Sequence, residues 1–123
     1  MTSADGIFNR SNLVQNKGIG NRQVDPLPRL LAQIADRIGM PLTIRQASSR
    51  PWASALFEGR RHVMLLGIEG QDATTRRDHF IRGLEDVEWK LPGHFVADIT
   101  VDDSRPGTDG IWIELSALTI EDW

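Results

Sequence analysis

A chain of 123 residues, 40% hydrophobic and 25% charged, fits one folded domain with a modest core rather than a disordered segment. The absence of cysteine excludes disulfides, thiolate metal sites and a cysteine nucleophile, and the net charge of −3 argues against general nucleic-acid binding. No apolar run approaches the roughly 18 residues of a membrane span, so the expectation is a soluble cytoplasmic protein with no membrane partner.

Residues 1–23 are rich in Asn, Gly, Ser and Gln and lack the layout of a signal peptide. They read as a polar N-terminal arm ahead of a single α+β domain at 24–123. A helix is predicted over Asp25–Gly39. Asp25 suits the N-cap, Pro26 the first helical position, and Leu27, Leu30, Leu31, Ile34, Ala35 and Ile38 form one apolar stripe. Gly39 ends it and Pro41 prevents its resumption.

Three strands are predicted next, at Leu42–Ala47, Trp52–Glu58 and Arg61–Ile68, with a turn at Ser48–Pro51. Gly59-Arg60 reads as a two-residue hairpin turn. That register sets Phe57 against His62 and lays Trp52 over Gly67. A second helix follows over Ala73–Asp86, capped by Asp72, with Phe80, Ile81, Leu84 and Val87 as its apolar stripe. His94–Asp102 and Ile111–Ile120 alternate as strands of a last hairpin joined by Asp103–Gly110. The order α-β-β-β-α-β-β implies a two-layer sandwich, with an antiparallel sheet of about five strands and two helices on one face. No internal repeat is apparent.

If Ala97 lies opposite Leu115, Asp98 faces Glu114, and His94 and Asp102 share the side of Asp98. Opposed carboxylates beside a histidine are a starting point for acid–base work or a divalent cation. No fixed-spacing metal motif supports this reading, and the chain carries no serine-hydrolase elbow. Arg60-Arg61-His62 and Arg76-Arg77 read as solvated basic clusters. Trp112 on the sheet and Trp123 at the end of the chain are candidates for partner contact.

Charge is divided along the chain. Met1–Arg61 holds nine basic and four acidic residues, and His62–Trp123 holds five and thirteen, so the halves stand at +5 and −8. Only Lys17 and Lys90 are lysine, the usage of a GC-rich, bacterial genome. The halves neutralise one another within the domain, or the acidic half meets a basic protein partner. With no catalytic or cofactor signature, the reading leans to a non-enzymatic interaction or accessory domain acting as a homodimer. The alternative is a small-molecule or divalent-metal site, with enzymatic chemistry in reach, on the face carrying Asp98 and Glu114.

Overall fold

The computed structural model describes residues 24–122; the arm at 1–23 and Trp123 lie outside the described residues. Helix α1 (Leu27–Ile38) buries Leu27, Leu30, Ile34 and Ile38, the stripe its sequence spacing requires. Its first turn is held by the Asp25 carboxylate, which accepts from the Leu27 N–H at 3.0 Å. Gly39 closes it at φ 86°, a conformation that glycine adopts without the Cβ penalty.

Four strands form one antiparallel sheet: β1 (Leu42–Ala53), β2 (Glu58–Glu69), β3 (His94–Pro106) and β4 (Gly110–Glu121). Helix α2 (Ala73–Gly83) and a single 3-10 turn (Leu84–Asp86) stand between β2 and β3. The order is therefore α-β-β-α-β-β, with four strands in place of the five expected. The turn expected at Ser48–Pro51 does not form. That segment runs inside β1, an edge strand, where a proline deprives no second neighbour of a donor. The hairpin turns instead at Ser54–Phe57, closed by the Ser54 N–H to the Phe57 carbonyl at 2.8 Å.

Gly59 is thus a strand residue, not a turn residue. A Cβ there would collide with the Thr119 carbonyl oxygen of the adjacent strand, and one at Gly110 would collide with the Ile68 carbonyl oxygen. Both glycines answer to close backbone approach rather than to turn geometry. The changed turn also changes the register. His62 pairs with Ser49, Met64 with Ala47, and Trp52 with Gly59. Gly67 is covered by Trp112, its partner on β4, whose ring lies where a Gly67 Cβ would come within 2.8 Å. The aromatic-over-glycine device is present with a different tryptophan.

Strand order is β1-β2-β4-β3. In chain order each helix is followed by a hairpin, and the two hairpins meet along β2 and β4. The repetition is one of topology. Both helices lie on one face, over Met64, Leu66, Ile68, Ile113, Leu115 and Ala117. Arg76 on α2 donates to the carbonyls of Gly39, Pro41 and Glu69, tying α2 to the turn after α1 and to the end of β2. Of the stripe expected on α2, Phe80 and Leu84 are buried while Ile81 is 39% exposed. No helix among the described residues is long and apolar enough to cross a membrane.

Candidate functional site

On the helix-covered face, at one end of the sheet, the hydrophobic core gives way to a buried polar chain. His62 on β2 is fully buried. Its Nδ1 lies 2.8 Å from Ser49 Oγ, and its Nε2 lies 2.8 Å from Thr119 Oγ1. Ser49 in turn donates to the Asp25 carboxylate at 3.2 Å. Thr119 Oγ1 in turn donates to the Arg60 carbonyl at 3.4 Å, so each ring nitrogen of His62 meets a hydroxyl that has a second partner. Burial pushes the His62 pKa down from 6.5 to about 4; Asp25 opposes the shift, and Arg60 and His94 add to it. The carboxylate bonds the serine rather than the histidine, and no atom of the imidazole meets solvent. The chain therefore fastens the start of α1 to β1, β2 and β4, and it lacks the access that a nucleophile and its base require. Arg60 stands beside it, with Nε 3.6 Å from Asp25 Oδ2.

The residues singled out from sequence are dispersed. Strand β3 carries two irregularities, between Val96 and Asp98 and between Val101 and Asp103. The first breaks the alternation on which the expected register rests. Asp98 pairs with Leu118, not with Glu114; the residue opposite Glu114 is Asp103. His94 turns to the helix side and is buried, so it does not share a side with Asp98. Asp102 sits within the second irregularity and accepts from Thr100 at 3.0 Å. Among the described residues, no three His, Asp or Glu side chains are gathered closely enough to hold a metal ion. Arg76 and Arg77 are not free basic groups, because Arg76 is spent on backbone carbonyls and Arg77 on Asp78 and Ser104.

Shallow depressions indent the surface among the described residues. One, of about 120 Å³, lies at the β3–β4 turn beside Trp112. Another, of about 220 Å³, lies between β3 and the segment after α2, with Trp89, Val96 and Ile99 on its walls and Glu85 and Asp98 on its rim. Neither holds both Asp98 and Glu114.

The largest feature is the sheet face that the helices leave bare. Its two central strands carry Leu65, Leu118 and Trp112, half-buried, and Val63, 42% exposed, with Arg61, Ser116 and Glu114 among them. Its rows follow from the register. One runs Trp52, Gly59, Ile120, Phe95. The next runs Arg50, Arg61, Leu118, Asp98. The third runs Ser48, Val63, Ser116, Thr100, and the fourth Gln46, Leu65, Glu114, Asp103. The fifth runs Thr43, Gly67, Trp112, Arg105, so Arg50 and Arg61 stand toward β1 and Asp98, Asp103 and Glu114 toward β3, with Arg105 the one basic residue on the β3 side among the described residues. Arg45 lies over the Trp112 ring, 5.6 Å from its centroid. Near the far corner Arg105 approaches Asp103 at 3.8 Å. Of the sequence candidates, Trp112, Asp98 and Glu114 belong to this face. Arg50 and Arg61 also belong to this face, where the sequence had set Arg50 in a turn and Arg61 in a solvated basic cluster.

No family model, no curated protein and no solved structure matches this chain.

Proposed function

We propose that this chain is a non-enzymatic interaction domain that pairs with a second copy of itself through the bare face of its sheet. The observation that carries the reading is the face itself: Val63, Leu65 and Leu118 lie between Arg50 and Arg61 on one side and Asp98, Asp103 and Glu114 on the other, and no helix among the described residues covers it. Such a face is complementary to its own copy. Four strands about 4.8 Å apart, each of a dozen residues at about 3.3 Å, span about 19 Å by 40 Å, or roughly 750 Å². A stable interface of standard size takes about 800 Å² from each partner. The position of Asp98 and Glu114 on one face leaves a small-molecule or cation site as the alternative, but their separation gives it less support.

Sedimentation equilibrium of the full chain tests the reading. A mass of two chains is expected at micromolar concentration, and Val63→Glu, which places a charge at the centre of the face, lowers the association constant by at least about tenfold while the far-ultraviolet circular dichroism stays unchanged. A wild-type monomer throughout, or dimerisation indifferent to Val63→Glu, contradicts it.

A further inference from the structure

The bare face also carries the geometry of the pairing, an inference that rests on the self-association just proposed. Two sheets packed face to face about a twofold have that axis in the plane between them. If it ran across the strands, each strand would lie over its own copy, and the carboxylates of β3 would meet carboxylates. If it runs along the strands between β2 and β4, β1 of one copy lies over β3 of the other. The rows then match. Arg50 and Arg61 stand on the β1 side of the row that ends in Asp98. Trp52 stands on the β1 side of the row that ends in Phe95, which is 44% exposed.

We infer that the homodimer twofold runs parallel to the strands, so that Arg50 of each copy pairs with the partner's Asp98 and Trp52 covers the partner's Phe95. Two observations independent of each other, a charged row and an apolar row, select the same axis. The strand order makes this possible: β1 and β2 lie together on one side of the sheet and β4 and β3 on the other, so Arg50 and Arg61 stand on one side of the face and Asp98, Asp103 and Glu114 on the other. Within the chain Arg50 and Asp98 lie on opposite edge strands, three strand spacings apart. An ion pair between them is available only from a second copy.

Charge exchange tests this. Arg50 and Asp98 are both exposed, so reversing either leaves the core untouched. Arg50→Glu alone sets acid against acid at both symmetry-related pairs, and Asp98→Arg alone sets base against base. Each weakens the homodimer by at least about tenfold. Mixed in equal amounts, the two variants form a heterodimer in which both pairs are restored, read by native mass spectrometry from the different chain masses. The doubly exchanged chain, Arg50→Glu with Asp98→Arg, recovers the homodimer. A wild-type dimer whose variants mix at random, or are not weakened, overturns the axis and leaves self-association standing. A wild-type monomer overturns both.

Discussion

His62 fills a place where an aliphatic side chain would ordinarily sit, and it is accepted there because both ring nitrogens are bonded. A buried imidazole with neither partner would cost more than the hydrogen bonds return. Its neutrality makes stability depend on pH. The folded pKa, about 4, lies below the 6.5 of the free side chain, so between these values the unfolded chain binds more protons. The stabilisation is complete above pH 6.5 and is lost as the pH falls toward 4. Across that window the shift corresponds to about 3 kcal/mol. Urea denaturation at pH 7 and pH 4 measures the loss, and imidazole NMR shifts should show His62 still neutral at pH 5. A ring that titrates near 6.5 would contradict the role given to burial.

At the scale of elements, two glycine–strand relations decide the register. Gly67 gives Trp112 its seat. Gly67→Val should displace that ring, lower stability by about 1–3 kcal/mol and shift the tryptophan emission; unchanged emission and stability would show that the seat is not used. The same relations explain what was legible in the residues. Helix α1 could be read nearly to its ends, because its stripe and stop agree; the cap falls one residue later than expected, on Pro26, with Asp25 accepting from the Leu27 N–H. Helix α2 and the β3–β4 pairing could be read as elements. The strand count could not. Ser48–Pro51 has the composition of a turn, but the length of β1 is set by pairing with β2 and by the contact of Ser49 with His62, both long-range. Gly59 looks like a turn glycine until the approach of Thr119 is seen. The irregularities in β3 have no clear signature in the residues, and β3 runs on to Pro106 where a loop was expected from Asp103, so the hairpin register sets Asp103, not Asp98, opposite Glu114. The expected carboxylate pair therefore dissolved, while Asp98 kept its place on the bare face.

At the scale of the whole molecule, the strand order sets Arg50 and Arg61 on one side of a face and Asp98, Asp103 and Glu114 on the other. That arrangement needs the order β1-β2-β4-β3; an interleaved sheet would have mixed the signs. It turns a net charge of −3, which by itself says little about association, into a patterned face. The patterned face accounts for exposed Val63 and Phe95 beside a well-filled core on the other side. The absence of cysteine makes the central claim directly measurable. A single thiol introduced as Val63→Cys reports access to the centre of the bare face, and one introduced as Ala32→Cys, on the exposed surface of α1, is the control. If copies pair through this face, maleimide labelling at position 63 slows as protein concentration rises while labelling at position 32 does not change. Equal rates at both positions at every concentration would contradict the account.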